Sequence, residues 1–146
     1  NVYIQLPASY DPSKNQKYPV VYILDGENLL PTANEVQNYY SGGFTPEMVL
    51  VGIANDKNRI RDLTTSNITH KYGMPFNEKN GEADIFRQFI RKELIPFIED
   101  KYPVTSYRTL IGHSYGGWLI RLIASMNPDN ISGMVFIMSK TRSVAP

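Results

Sequence analysis

Two patterns of apolar and polar positions alternate along this chain. Nearly every position is apolar in the short runs "PVVYIL", "MVLVGI" and "MVFIM", as in strands that are buried on both faces of a sheet. Segments between these runs repeat apolar residues at spacings of three and four, which is the helical pattern. Strands that alternate with helices predict an α/β fold with a mainly parallel sheet and helices on both faces, in three layers.

The clearest helical pattern covers residues 82–102, and it predicts one core-facing side. Proline lacks an N–H and clashes with the preceding turn, so Pro96 predicts a kink within this helix. By contrast, residues 56–81 have no clear period and are rich in Asn, Thr, Lys and Gly, which predicts a long loop beside the end of the sheet. The apolar positions assigned to the core side of the helix are Ile85, Phe86, Phe89, Ile90, Leu94, Phe97 and Ile98.

Composition changes this picture little. The 146 residues are 42% hydrophobic and carry a formal net charge of +1, with no long block of either sign, so no nucleic-acid or acidic-membrane partner is predicted. Cysteine is absent, which excludes disulfides, thiolate metal sites and a cysteine nucleophile. No apolar run reaches the roughly 18 residues that span a bilayer.

The candidate chemistry centres on residues 112–117, Gly-His-Ser-Tyr-Gly-Gly, in which a serine has the spacing G-x-S-x-G. An apolar strand precedes the motif and an apolar helix follows it. A serine on such a turn is lifted clear of the sheet and faces the first amides of the helix. We therefore predict that Ser114 is a nucleophile. Side chains at Gly112 and Gly116 are expected to collide with the crowded strand and helix, and Gly117 to allow close helix packing.

These residues resemble the α/β-hydrolase superfamily, and the wider pattern is similar to its Putative esterase family, which includes esterase D-like and enterochelin-esterase-like enzymes. The resemblance runs in the family's order through "KYPVVYILDGENLL", "MVLVGIANDKNRIRDLTTSN", "FRQFIRKELIPFIEDKYPV" and "YRTLIGHSYGGWLIRLIASMNPDNISGMVFIMS". It implies hydrolysis of a small-molecule carboxylic ester or thioester through an acyl-serine at Ser114, without a cofactor. The acyl group stays open among iron-chelator esters, feruloyl esters, short fatty esters and S-formylglutathione.

The resemblance also implies further site residues. The backbone amides of Tyr115 and Glu27 are expected to form the oxyanion hole. Arg61 and Asp62 match a family segment beside the site, where they either contact the substrate or form a salt-bridged anchor of the loop.

The histidine that would activate the serine is not evident. The superfamily orders its triad as Ser, then Asp or Glu, then His, but no histidine follows Ser114 in this sequence, and the only later carboxylate is Asp129, in a turn. His113 adjoins the serine on a strand end and is expected to point to the other side. His70, in the long loop, could reach the serine only by folding over the sheet, and a structural role is favoured for it.

We therefore expect the triad acid and base to lie beyond Pro146. On this interpretation the chain begins inside a larger protein, and residues 1–146 form one partial α/β-hydrolase domain. Loss of triad members costs orders of magnitude in rate, so the chain alone is expected to be weakly active or inactive. An uncovered sheet edge and apolar surface would favour self-association.

Two alternative functions stay open. A serine peptidase of the prolyl-oligopeptidase type has a turn similar to "GHSYGG", although "ILDGENLL" and "RDLT" fit the esterases better. A non-catalytic binding protein of the hydrolase fold would keep the serine turn without its partners. A metal centre is not predicted, because the two histidines are far apart and no H-x-x-x-H motif is present.

Overall fold

The computed structural model describes residues 1–126 and 131–137. Its helices and strands follow each other in the alternating order that the sequence predicts. In chain order they are β1 (Val2–Gln5), β2 (Tyr18–Leu24), α1 (Gly26–Tyr40), β3 (Val49–Ile53), a 3-10 turn (Asp56–Asn58), α2 (Arg59–Leu63), β4 (His70–Lys71), β5 (Met74–Pro75), α3 (Ala83–Phe89), a π-helical turn (Ile90–Leu94), α4 (Ile95–Lys101), β6 (Val104–His113), α5 (Tyr115–Met126) and β7 (Gly133–Ile137).

The central sheet has the strand order β1-β3-β2-β6-β7. Strand β2 pairs in parallel with β3 and β6, and β6 pairs in parallel with β7, whereas β1 runs antiparallel to β3. This arrangement confirms the predicted mainly parallel sheet. Since the carboxyl ends of parallel strands meet at one edge, the turns that follow β2, β3 and β6 come together there.

Helices cover both faces of the sheet, as predicted. Alternate residues of β2 point to opposite faces: Val21 and Ile23 pack with apolar residues of α1, whereas Tyr22 and Leu24 belong to the core that α3, α4 and α5 complete. Every residue of β3 is buried, because both of its faces are covered. In the described part of the chain, no helix combines the length and the apolar character that crossing a membrane requires.

The helical segment predicted over residues 82–102 contains an irregular turn that changes which residues are buried. Ile85 is 64% exposed and Phe97 is 50% exposed, so their assignment to the core is wrong. A regular helix repeats every 3.6 residues, so side chains spaced by four residues would lie at progressively different positions around its axis. The wider π-helical turn, just before Pro96, offsets this drift and gives the interruption that the proline predicts. The buried residues recur every four positions, at Phe86, Ile90, Leu94 and Ile98.

The segment predicted as a long loop, residues 56–81, is more ordered than expected. It begins with the 3-10 turn and α2, and it contains the hairpin formed by β4 and β5, after which residues 76–81 are irregular. Side chains close its base: Thr64 Oγ1 accepts the Gly81 N–H at 2.8 Å, and Asn80 Oδ1 accepts the Ile68 N–H at 2.6 Å. Helix α2 is too short to produce a periodic signal, which explains why the pattern did not predict it.

Candidate active site

Ser114 forms the turn between β6 and α5 by itself. Its φ of 56° is left-handed, a conformation that costs energy for any residue with a Cβ and that often occurs at functional sites. Its N–H donates to the Ile137 carbonyl of β7 at 3.0 Å, and its carbonyl accepts the Trp118 N–H at 3.3 Å. The strained backbone is therefore held from the sheet and from the first turn of α5.

Glycines surround this turn for different reasons. A Cβ at Gly112 would lie 2.4 Å from the Gly116 carbonyl oxygen and 2.9 Å from the Gly117 nitrogen, and a Cβ at Gly117 would lie 3.4 Å from the Gly112 oxygen. The distances at Gly112 confirm that it is crowded, whereas 3.4 Å at Gly117 is an ordinary van der Waals contact and does not confirm the close packing expected there. At Gly116 the predicted collision is wrong. The nearest atom to an added Cβ belongs to Leu24 and is 3.5 Å away, which is an ordinary van der Waals contact.

A second strained turn follows β2 at the same edge of the sheet. Asp25 has a φ of 54°, and its carbonyl accepts the N–H groups of Asn28 and Leu29 at 3.0 Å each. Helix α1 begins directly after it at Gly26, where an added Cβ would lie 2.4 Å from the Ile53 nitrogen. The first amides of α1, including that of Glu27, precede the first intrahelical hydrogen bond and so have no partner in the helix.

The Glu27 side chain has a separate, structural role. Its carboxylate accepts the N–H groups of Asn55 at 3.3 Å and Asp56 at 3.1 Å. In return, the Asn55 side-chain oxygen accepts the Asp25 N–H at 3.3 Å. These bonds tie the turn after β2 to the segment after β3, and they fix the start of α1.

An ion pair joins the same two segments. Arg59 Nε lies 2.6 Å from Asp25 Oδ1 and Arg59 Nη2 lies 2.9 Å from Asp25 Oδ2, a two-pronged geometry. The side chain of Asp25 is only 7% exposed, and that of Arg59 is 29% exposed. The hydrogen bonds to Asp25 raise the pKa of Arg59 above its already high ordinary value, so Arg59 stays charged.

A small cavity of about 200 Å³ opens between the two strained turns. Ser114 lies on its wall, as do Asn28 and Leu29 in the first turn of α1. Glu27 and Tyr115, whose amides are the predicted oxyanion donors, are not among the residues that line it. The cavity is lined by Asp25, Asn28, Leu29, Arg59, His113 and Ser114.

Neither of the two histidines, both of which the structure describes, is hydrogen-bonded to Ser114 through its ring, although His113 lines the same cavity. The His113 backbone carbonyl accepts a hydrogen bond from Arg59 Nη2 at 3.1 Å, and no hydrogen bond joins its ring to Ser114 within the described residues. His70 lies exposed in β4, with Nδ1 3.2 Å from Thr69 Oγ1, and it does not line the cavity. Asp129 lies outside the described residues.

The predicted pair Arg61 and Asp62 lies elsewhere. Arg61 Nε is 2.7 Å from Asp62 Oδ1 and 3.6 Å from Glu82 Oε2. These residues line a separate cavity of about 420 Å³ and are not among those that line the cavity beside Ser114. The geometry therefore favours the salt-bridged anchor over substrate contact.

Sequence reasoning missed Asp25 and Arg59. Asp25 had a usable signal, a carboxylate directly after a fully apolar strand, where parallel strands place functional groups. Arg59 had no such signal, because the stretch "NRIRD" contains two arginines and the sequence pattern did not reveal the helix that separates them. In α2, residues two apart do not share a face, so Arg59 and Arg61 belong to different surroundings. Across residues 1–126 and 131–137, no three His, Cys, Asp or Glu residues are grouped to hold a metal ion.

Known proteins with similar sequences and structures support one family. The family model for Putative esterase matches residues 1–141. The chain is 30% identical to the ferri-bacillibactin esterase BesA of Bacillus subtilis, over 88% of this chain and 49% of that protein. It is 27% identical to the apo-salmochelin esterase of Escherichia coli O6:H1, over 99% of this chain and 51% of that protein.

Solved structures agree with this match. An IroE-like serine hydrolase from Shewanella oneidensis has a TM-score of 0.80 and 31% identity, over 91% of this chain and 44% of that chain. The chain spans about half the length of the curated relatives it matches. Since the family match covers nearly the whole sequence and the fold agrees with it, the chain belongs to the Putative esterase family of the α/β-hydrolase superfamily.

Proposed function

We propose that the site at Ser114 hydrolyses an ester through an acyl-serine intermediate. The observation that carries this proposal is the left-handed Ser114 turn between β6 and α5, on the wall of a cavity shared with the start of α1. In this mechanism the serine oxygen attacks the ester carbonyl carbon and loses its proton to a base. The alcohol then leaves with a proton, and water releases the acid from the serine.

The negative charge on the carbonyl oxygen requires donors that are already in place. We assign this role to the backbone N–H groups of Tyr115 and Glu27, at the first turns of α5 and α1. Helices α1 and α5 begin directly after Asp25 and Ser114, which both line the cavity, and the positive end of a helix favours a developing oxyanion. The crowded Gly112 and Gly26 support this assignment, because they let each helix begin directly against the sheet.

The substrate class is inferred from the relatives. Those named above are esterases of ferri-bacillibactin and apo-salmochelin, and a further relative in Aspergillus fumigatus is named a siderophore triacetylfusarinine C esterase. We infer that the whole protein acts on an ester bond of a siderophore. Because neither described histidine is bonded to Ser114, we expect this chain alone to react slowly.

Intact-mass measurement after incubation with a fluorophosphonate tests the nucleophile. We expect one slow adduct on the folded chain, no adduct on Ser114→Ala, and an unchanged rate for Ser125→Ala, whose hydroxyl lies in the last turn of α5. Release of p-nitrophenol from p-nitrophenyl acetate should likewise be slow with the wild-type chain and with Ser125→Ala, and absent with Ser114→Ala. Labelling or hydrolysis that persists unchanged in Ser114→Ala would contradict the catalytic proposal, whereas a folded chain that gives neither adduct nor product agrees with a triad base that is not among these residues.

We also propose that this chain self-associates through β7. This strand lies at the edge of the sheet, and its side chains from Met134 to Ile137 are each between 41% and 45% exposed. Within β7 there is no charge or proline to discourage pairing, and such edges pair readily with a second strand. A second copy, pairing edge to edge, would pair with the backbone of β7 and cover its exposed apolar side chains.

A further inference from the structure

Arg59 contacts each of the segments that border the Ser114 cavity. It is the first residue of α2, in the segment after β3. Its guanidinium bonds to both carboxylate oxygens of Asp25, after β2, and to the carbonyl of His113, at the end of β6. It also lies 5.8 Å from the centre of the Tyr115 ring, at the start of α5. One side chain therefore connects the ends of three neighbouring strands.

These contacts fall at positions that determine where the reacting groups lie. His113 directly precedes Ser114, and Asp25 lies two residues before Glu27. Asp25 and Ser114 both have left-handed φ angles, and such strained residues persist only where their surroundings hold them. A shift of either turn would change the distance between the serine and the start of α1.

The charge of the pair argues against direct binding of an anionic substrate group. Asp25 neutralises Arg59, and the carboxylate is almost fully buried. The Nε and Nη2 groups of Arg59 already donate to protein oxygens. A planar guanidinium can make this fork and the additional carbonyl bond at once, which a lysine ammonium cannot do with the same geometry.

We propose that Arg59 is a positioning residue, which holds the Ser114 turn and the start of α1 in one fixed arrangement through Asp25 and the His113 carbonyl. It acts on the reaction through these two turns and not by touching the ester. The catalytic part of this inference rests on the proposed function. The positioning part is a property of the folded chain and can be measured without any substrate.

Residue-resolved amide exchange by NMR tests the positioning. Four protected amides report on the two turns, because their hydrogen bonds lie within them: those of Asn28, Leu29, Ser114 and Trp118. In Arg59→Lys, which keeps the positive charge, we expect exchange at these amides to become about tenfold faster through local opening. Amides in the middle of β3 should keep their wild-type exchange rates.

The control is Arg61→Lys, on the same helix. Arg61 also pairs with a buried carboxylate, that of Asp62, but it does not contact either turn. This variant should leave the four amides unchanged. Equal exchange in wild type and Arg59→Lys, or faster exchange spread evenly over the whole sheet, would overturn the proposal. Arg59→Met, if it folds, should show a larger effect at the same four amides.

A kinetic readout separates positioning from simple stabilisation. In ester hydrolysis by the folded chain, Arg59→Lys should lower kcat about tenfold with KM unchanged, because misplaced reacting groups affect the chemical step. A raised KM with unchanged kcat would indicate substrate contact and overturn the positioning role. Labelling that persists in Ser114→Ala would make the proposed function fail, while the exchange experiment decides separately whether Arg59 holds the turns.

Discussion

Two glycines of the serine motif, four positions apart, have opposite structural requirements. Gly112 has backbone atoms of the start of α5 within 2.5 Å of an added Cβ, whereas an added Cβ at Gly116 would make only ordinary van der Waals contacts, the nearest at 3.5 Å. Gly112→Ala should therefore lower the free energy of unfolding by about 3 kcal/mol, the upper end for overpacking. Gly116→Ala should change it by less than about 1 kcal/mol, and in the stabilising direction, because alanine favours the helix.

Urea denaturation followed by circular dichroism measures this difference directly. The two variants add the same methyl group to the same motif, so each serves as the control for the other. Equal destabilisation of both would contradict the distances given above and would indicate that the whole motif is uniformly crowded.

A buried tyrosine makes stability depend on alkaline pH. The Tyr22 hydroxyl has no hydrogen-bond partner within the described residues. Burial raises the pKa of Tyr22, with Arg108 opposing and Glu99 adding to that change. The folded state thus holds the phenol proton more tightly than the unfolded chain, so its contribution to stability is complete below pH about 10 and is lost at higher pH.

Tyr22→Phe should remove this dependence. At pH 7 we expect the free energy of unfolding to rise by about 1 kcal/mol, because an unsatisfied buried hydroxyl is deleted. Between pH about 10 and about 11, the variant should lose less stability than the wild type. Tyr39→Phe, at a site 81% exposed, is the control and should leave the pH profile unchanged. An identical alkaline loss in wild type and Tyr22→Phe would show that other groups cause it.

At the scale of elements, the π-helical turn decides which side of the α3–α4 segment is buried. Ile85 is 64% exposed and Ile90 is 2% exposed, although both belong to the predicted core side. Ile90→Ala should lower the free energy of unfolding by about 2 to 5 kcal/mol, as for other buried isoleucines. Ile85→Ala should lower it by no more than about 0.5 kcal/mol. Thermal and urea denaturation of the two variants measures this difference. Comparable losses in the free energy of unfolding would contradict the π-helical turn and indicate a regular helix.

The elements that the sequence predicted are those with long or fully apolar patterns. Strands β2 and β3 were evident because burial on both faces leaves few polar positions. Helix α5 was evident from its long apolar sequence, and the end of β6 from the apolar residues before the glycine motif. The orientation of β1 was not predicted, since alternation in a single strand carries no information on its partner. Helix α2 was missed because five residues are too few to show a period.

The candidate site was predictable to a smaller extent. The Ser114 turn followed from glycine spacing between a strand and a helix, which is a local signal. The Asp25–Arg59 pair is a contact between residues from different turns, and its partners are determined only by the strand order. Which of Arg59 and Arg61 reaches the site depends on the side of α2 that each one occupies. The sequence pattern did not reveal that helix.

For the whole molecule, the exposed β7 edge has a measurable consequence. If copies associate through this strand, Val135→Lys should weaken self-association about tenfold or more, because a charge on an edge strand opposes pairing. Sedimentation-velocity measurements over a range of concentrations would determine the change. Val2→Lys introduces the same charge on β1, the opposite edge, and should have no effect. Equal association of all three proteins would exclude β7 as the interface.

The strand order also determines when the fold can form. Strand β2 pairs with β6, as in the contact of Tyr22 with Leu110, although the two strands are far apart in sequence. Such non-local pairing is slow, because a long loop must close before any contact forms. On the ribosome, β2 and β3 emerge well before their final neighbour has been synthesised, with apolar residues exposed. The interval between translation of β3 and of β6 is therefore when the apolar strands of this chain are most exposed to aggregation.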